Sequence, residues 1–173
     1  MRRVEVCPYN EEWPKMFHQE MIKLQCIYGS QIVTIHHIGS TSIKGLNAKP
    51  IIDILSVVKD INEIDKFDDQ MKANGYEPRG ENGIPGRRYF QKGGNARTHH
   101  IHIYQQGDVG IERHIAFRDY LRSNNELKNK YGKLKEELSK QFPYDIASYI
   151  KGKEQMVSEI EKKALSWYRS NKQ

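Results

Sequence analysis

The sequence has little cysteine and no long apolar run, and each absence narrows the class of protein. Its two cysteines, Cys7 and Cys26, lie in no metal-binding spacing. This favours reduced thiols in a cytosolic protein over a cysteine metal centre. No apolar run approaches the length that spans a bilayer, and no apolar signal core follows Arg2 and Arg3. We therefore expect a cytoplasmic protein with no membrane partner.

Length and composition predict one globular domain over residues 1–173. The 173 residues are enough for one sizeable core, and 37% hydrophobic with 29% charged residues is a globular balance. The formal net charge is +6, with the excess in the C-terminal part. Such a charge fits a partner that carries phosphates, either a nucleotide or a nucleic acid, and it equally fits a solvated basic surface.

The pattern of apolar residues and chain breakers predicts an α+β fold. Pro14 suits the first turn of a helix that Gly29 and Ser30 end. Strands are expected at 32–38, 50–58, 87–91 and 98–104, and helices at 61–74, 111–122, 126–141 and 145–168. In the strand at 98–104, Ile101 and Ile103 should face the core. We expect a small mixed sheet with one helix before it and a helical C-terminal half.

Two features near the N-terminus point to chemistry. Gly39 and Ser40 follow an apolar strand, so the backbone turns there and its N–H groups suit an anion. Asp53 lies in an apolar run that is typical of a buried strand. A lone carboxylate there costs several kcal/mol unless a metal, a cation or hydrogen bonds compensate it.

The order of motifs resembles that of the GrpB family. The matching segments are HHIGSTSIKGLNAKPIIDIL, GIPGRRYFQKGG, HHIHIY, HIAFRDYLR and YIKGK, and the resemblance extends from about Tyr9 to Trp167. The family is assigned by sequence to the nucleotidyltransferase superfold, and related domains are fused to dephospho-CoA kinase. The resemblance therefore implies a nucleotidyltransferase-like fold and a nucleotide ligand.

The resemblance implies that Asp53 binds a catalytic metal. In metal-dependent nucleotidyl transfer a carboxylate fixes magnesium or manganese, which bridges the phosphate oxygens. The superfold usually places a second acid two residues on, where this sequence has Leu55. Two-metal chemistry is therefore in question, and an ion pair between Asp53 and Arg87 or Arg88 is the structural alternative.

His100 and His102 are the second set of candidate metal ligands. They share one face of a predicted strand that, in the superfold, runs near Asp53. Two imidazoles with one carboxylate would favour manganese, zinc or iron over magnesium. The alternative is that both histidines hydrogen-bond within the wall of a cleft. The same segment is similar to the histidine-triad hydrolases, but Tyr104 replaces their third histidine.

Several cations are candidates for binding phosphate. Lys49 follows the Gly39–Ser40 turn, and Lys153 interrupts the apolar stripe of the last predicted helix, where its ammonium either reaches water or enters a polar cleft. A helix face that includes Arg118 could close over the turn. The candidate nucleotide-binding residues are Gly39, Ser40, Lys49, Arg87, Arg88, Arg118 and Lys153.

Together these patterns favour a metal-dependent nucleotidyltransferase that acts on a nucleoside triphosphate and an unidentified acceptor. The rival hypothesis is a non-catalytic nucleotide- or coenzyme-binding domain of the same fold, for which Leu55 is the best argument. Nucleic-acid binding by the basic C-terminal half is a third hypothesis, although the sequence has no helix-turn-helix, zinc-finger or RNA-recognition motif.

Overall fold

A five-stranded mixed sheet forms the centre of the protein in the computed structural model, which describes residues 2–171. The strands lie in the order β1-β2-β5-β4-β3, and only β2 and β5 pair in parallel. Their bounds are β1 Ile32–Ile38, β2 Ile52–Val58, β3 Tyr76–Pro78, β4 Arg87–Lys92 and β5 His99–Gln105. The predicted small mixed sheet is thus confirmed.

One long helix precedes the sheet and three follow it, as the sequence pattern predicts. The α-helices are α1 Trp13–Tyr28, α2 Asp68–Ala73, α3 Val109–Arg122, α4 Asn125–Gln141 and α5 Ile146–Asn171. The helix predicted at 61–74 is instead a 3-10 segment, Ile61–Phe67, followed by the short α2. The Asp60 side chain caps this segment by accepting a hydrogen bond from the Asn62 N–H at 3.0 Å.

Strand alternation separates the core from the polar face of the sheet. Ile52 and Ile54 of β2 and Ile101 and Ile103 of β5 are fully buried in the main core, which α1 covers. Residues one position away along each strand point to the opposite face. This puts Asp53 of β2 on the same face as alternate residues of β5.

The C-terminal helices enclose that polar face. Buried residues of α3, α4 and α5, including Leu121, Tyr131 and Ile160, pack with Ile43 and Leu46 of the loop between β1 and β2. The helices therefore form the far wall of a cleft over Asp53. One member of the predicted apolar stripe departs from the pattern, because Ile150 remains 50% exposed at this wall. Within residues 2–171, no helix is long and apolar enough to cross a membrane.

Candidate functional site

The turn at Gly39 lies directly against the Asp53 carboxylate. Ile38 and Asp53 are paired across β1 and β2, so the turn that follows β1 begins beside this acid. Gly39 has φ +71°, and a Cβ on it would lie 2.6 Å from Asp53 Oδ2. Glycine is therefore required by the close approach of the backbone to the carboxylate, whereas the sequence suggested an approach to phosphate.

The turn is rigidly held from both sides. Ser40–Ser42 forms a single 3-10 turn, in which the Ser42 N–H donates to the Gly39 carbonyl at 3.1 Å. Arg122 of α3 donates to the Ser42 carbonyl at 3.1 and 2.7 Å. Below the turn, His37 Nε2 lies 2.9 Å from the Thr41 hydroxyl. These contacts hold the residues on both sides of Ser40, which lines the cleft.

Asp53, His100 and His102 converge, as their predicted positions on neighbouring strands required. Asp53 is in register with His100, and His102 lies two residues further along β5 on the same face. Asp53 Oδ1 lies 3.3 Å from His100 Nδ1 and 3.3 Å from His102 Nε2. Neither Arg87 nor Arg88 pairs with Asp53, so the arginine ion pair that the sequence left open does not form.

Two arginines set the tautomers of these histidines. Arg97 Nη1 lies 3.2 Å from His100 Nε2, and Arg87 Nη1 lies 3.4 Å from His102 Nδ1. A guanidinium only donates, so each of these ring nitrogens offers its lone pair and the other ring nitrogen carries the proton. Both imidazoles therefore donate an N–H to Asp53.

The hydrogen bonds keep Asp53 ionised. Burial by itself raises the pKa of this carboxyl, but the hydrogen bonds from His100 and His102 outweigh burial and hold the pKa far below its usual range. The side chain is 26% exposed to the cleft. A carboxylate in this state is a fixed negative charge in the cleft.

This cluster differs from the three-ligand metal site that the sequence suggests. In this hydrogen-bonded arrangement the imidazole nitrogens that face Asp53 donate to its carboxylate and do not offer a lone pair to a metal. In the part of the chain that the structure describes, no group of three or more His, Cys, Asp or Glu side chains is arranged to hold a metal ion. Asp53 alone fits magnesium or manganese, which accept one carboxylate when phosphates and water supply the remaining oxygens. Metal binding by His100 and His102 remains a prediction.

The cleft has two chambers that share Ser40, Asp53, Ile150 and Lys153 in their linings. The larger chamber, of about 540 Å³, also contains apolar and aromatic side chains such as Phe117 and Val157. Its polar side chains include both cations and anions. Beside Asp53 and Lys153 it includes His102, Arg113, His114, Glu154 and Glu161.

The smaller chamber, of about 320 Å³, is strongly basic. Three lysines line it, Lys49 from the β1–β2 loop, Lys135 from α4 and Lys153 from α5. Lys49 Nζ and Lys153 Nζ lie 5.1 and 5.3 Å from the centre of the Tyr149 ring. Burial lowers the pKa of both lysines, with that of Lys49 falling to about 8, where the charges of Lys153 and Arg2 act in the same direction.

Three of the predicted phosphate-binding arginines lie outside both chambers. Arg88 is on the face of β4 opposite Asp53 and pairs with Asp65 at 2.8 Å, so strand alternation removes it from the site. Arg118 donates to the His37 carbonyl at 3.2 Å and to Asp119, which makes it a brace between α3 and β1. Arg87 acts on the site through His102.

Several cleft residues were missed by the sequence reasoning. Lys135 lies between Tyr131 and Leu138 on the buried face of α4. A lysine that interrupts an apolar helix face is the same pattern that made Lys153 a candidate. His114 is half-buried beside His102, with 5.1 Å between ring centres, and desolvation lowers its pKa to about 3. Arg97 comes from the β4–β5 connection, where no periodicity predicts a position.

Sequence relatives match nearly all of this chain. The family model described as GrpB protein matches residues 3–163. UPF0157 protein YqkA of Bacillus subtilis (strain 168) is 52% identical over 166 residues, which are 96% of this chain but 48% of that protein. Glutamate-rich protein GrpB of Alkalihalophilus pseudofirmus is 39% identical over 88% of this chain and 90% of its own length. A dephospho-CoA kinase of Mycolicibacterium paratuberculosis is 23% identical over 95% of this chain and 46% of its own length.

Solved structures agree on the family and the fold. The crystal structure of conserved protein GrpB from Enterococcus faecalis superposes with a TM-score of 0.92 at 42% identity and covers 95% of this chain and 99% of its own. Cid1 in complex with its short product ApU has a TM-score of 0.52 at 13% identity, over 75% of this chain and 42% of that one. The second likeness concerns the fold alone, which is nucleotidyltransferase-like. This chain belongs to the GrpB family.

Proposed function

We propose that the cleft binds a nucleoside triphosphate with a divalent metal and transfers its nucleotidyl group to an acceptor. The observation that carries the proposal is the ionised Asp53, held against the Gly39–Ser40 turn at the junction of an aromatic chamber and a basic one. An anion turn beside a fixed carboxylate suits a ligand that presents phosphates and a metal together. The nucleotidyltransferase-like fold supports the same assignment.

Each group has a defined task in this proposal. Asp53 would hold magnesium or manganese, which would neutralise charge on the phosphate oxygens. Ser40 and Lys153 would contact the phosphates, while His100 and His102 orient the carboxylate. The acceptor oxygen forms a bond to the α-phosphorus, the bond to pyrophosphate breaks, and the acceptor's proton leaves to solvent.

A specific observation also favours non-catalytic binding. Leu55, at the place of the superfold's usual second acid, is fully buried and packs with Ile38 and Tyr104. A second metal ligand is therefore missing from this strand. The same chambers could hold a nucleotide or a phosphorylated coenzyme without turnover.

Metal-dependent turnover distinguishes the two functions. The protein is incubated with α-labelled nucleoside triphosphates, magnesium or manganese, and an extract of small metabolites and RNA as acceptor source. The readouts are pyrophosphate release and label transfer. Transfer should occur in the wild type and be lost in Asp53→Asn, but persist in Asp65→Asn, which neutralises an exposed carboxylate remote from the cleft. Triphosphate binding without label transfer would support the non-catalytic domain.

A further inference from the structure

The smaller chamber is lined by two residues whose buried polar atoms have no hydrogen-bond partner within residues 2–171. These atoms are the ammonium nitrogen of Lys135 and the hydroxyl oxygen of Tyr149. Lys135 is only 2% exposed and Tyr149 is fully buried, and both line this chamber. Both atoms are hydrogen-bond donors, and burying a donor without an acceptor is unfavourable, more so when the group is charged. Two such donors around one cavity point to a ligand rich in acceptor oxygens.

The charges around the chamber indicate that this ligand is an anion. Lys49 and Lys153 flank the Tyr149 ring, and Lys135 Nζ lies 4.6 Å from the centre of the Tyr131 ring. Burial, together with the charges of Lys153 and Lys49, lowers the pKa of Lys135 well below its usual value. Three lysines against the single carboxylate of Asp53 leave the lining with excess positive charge.

The position of the chamber selects one part of the ligand. Asp53, Ser40 and Lys153 belong to both linings, so they lie at the boundary between the chambers. The larger chamber offers Phe117, Tyr131 and Val157 to an organic group. A phosphate chain that passes Asp53 from that side would end among the lysines, where a terminal phosphate brings about −1.5 to −2 charge and three acceptor oxygens.

We propose that the smaller chamber is a metal-independent subsite for the terminal phosphate of a polyphosphate ligand. Lys49, Lys135 and Lys153 compensate its charge and the Tyr149 hydroxyl donates to it. The organic part of the ligand lies in the larger chamber, and this orientation rests on the proposed function. Nucleoside triphosphates and phosphorylated coenzymes with a free terminal phosphate share the required chemistry.

The subsite is tested with inorganic tripolyphosphate in EDTA, which removes both the organic group and the metal. Calorimetric titration should give saturable binding to the wild type that is at least tenfold weaker in Lys135→Met. The matched control is Lys133→Met, an exposed lysine on the same helix, and its affinity should equal that of the wild type. A second variant, Tyr149→Phe, keeps the ring and removes only the hydroxyl, and it should weaken binding about threefold to tenfold. Thermal melts without ligand should show Lys135→Met folded and at least as stable as the wild type, because the variant removes a buried polar group that has no hydrogen-bond partner.

The outcomes separate the subsite from the proposed function. Tripolyphosphate binding that is indifferent to Lys135→Met, or that requires a divalent metal, overturns the subsite. If nucleoside triphosphate is turned over but its affinity is equal in Lys135→Met and Lys133→Met, the function holds and the subsite is overturned. If Lys135-dependent binding of tripolyphosphate occurs while no nucleotide binds more tightly than tripolyphosphate alone, the subsite holds and the proposed function fails.

Discussion

At the scale of single residues, the contact between Gly39 and Asp53 determines the geometry of the site. Asp53 is held by His100 and His102 on one side and faces the backbone of Gly39 on the other. The carboxylate cannot rotate away without losing both hydrogen bonds. Any side chain at position 39 would therefore act on the charge at the centre of the cleft.

Gly39→Ala should disable the site by displacing Asp53. A Cβ at this position would lie 2.6 Å from Asp53 Oδ2, and the φ of +71° adds backbone strain. We expect a loss of about 1–3 kcal/mol in the free energy of unfolding and loss of triphosphate binding. The matched control is Gly83→Ala, where φ is +87° but nothing lies within 4 Å. In the control, denaturant unfolding should show a lower free energy of unfolding from backbone strain, while calorimetry should show unchanged triphosphate binding. Equal loss of binding in both variants would contradict the displacement.

Asp53→Asn should show how much of the effect of this residue comes from its charge, because asparagine keeps the shape of the side chain and removes the charge. The amide loses the two charge-assisted hydrogen bonds from the histidines, which should cost about 1.5–3 kcal/mol without unfolding the chain. Metal-dependent triphosphate binding should be lost, as measured by titration with manganese present. The control, Asp65→Asn, removes an exposed partner of Arg88 and should cost no more than about 1 kcal/mol. An unfolded Asp53→Asn variant would instead give the carboxylate a mainly structural role.

Single residues could be predicted where they break the local sequence pattern. Asp53 and Lys153 are polar residues in apolar patterns, and both lie in the cleft. Arg88 was misplaced because its motif says nothing about which face of β4 it occupies. Arg118 lies on the same helix as cleft residues, but its guanidinium donates a hydrogen bond to the His37 carbonyl. Contacts of this kind depend on tertiary packing, which a one-dimensional pattern does not encode.

At the scale of elements, a buried acid joins α1 to the far edge of the sheet. Glu20 of α1 is 4% exposed and accepts hydrogen bonds from the Tyr76 hydroxyl of β3 and from Lys92 Nζ of β4. Burial raises the pKa of this carboxyl, but the bonds from Lys92 and Tyr76 prevail and lower it to about 2 from its ordinary 4.5. The cluster therefore stabilises the packing of α1 only while Glu20 is ionised.

This cluster predicts a specific acid sensitivity. Because the folded pKa lies below the unfolded one, the stabilisation is complete above about pH 4.5 and is lost as the pH falls toward 2. It amounts to about 3 kcal/mol. Urea unfolding at pH 6 and pH 3 should show that Glu20→Gln is less stable at pH 6 and loses less on acidification than the wild type. Parallel acid loss in both proteins would assign the sensitivity to the buried histidines instead.

The elements themselves were largely predictable from periodicity. β1 matches its predicted bounds, and the alternation of β5 placed both isoleucines in the core and both histidines in the cleft. The segment at 61–74 was mispredicted because its apolar spacing fits a helix, while the Asp60 cap begins a 3-10 segment. Periodicity alone does not give the strand order, because the parallel pairing of β2 with β5 passes over β3 and β4. The neighbouring positions of these two strands were expected only from the family resemblance.

At the scale of the whole molecule, ligand binding should raise the melting temperature. A nucleoside triphosphate at one hundred times its dissociation constant stabilises the folded chain by about 2.7 kcal/mol, which should shift the midpoint by roughly 5–10 °C. The shift should require manganese or magnesium for its full size, shrink in Ser40→Ala and lose its metal-dependent part in Asp53→Ala. If no triphosphate with any divalent metal shifts the melt at millimolar concentration, the transferase proposal should be abandoned.

The parallel pairing of β2 with β5 also constrains how the protein folds. Asp53 meets His100 only after the segment that contains β3 and β4 has closed into a loop. Such non-local pairings form slowly, because loop closure lowers the entropy of the chain before the stabilising contacts have formed. The hairpin of β4 and β5 has far more local contacts. A folding chain should therefore form that hairpin early, and the carboxylate–histidine cluster should form later, in the rate-limiting step. Stopped-flow refolding of Asp53→Asn should then show a slower folding limb, whereas Glu77→Ala at the exposed β3 edge should leave it unchanged.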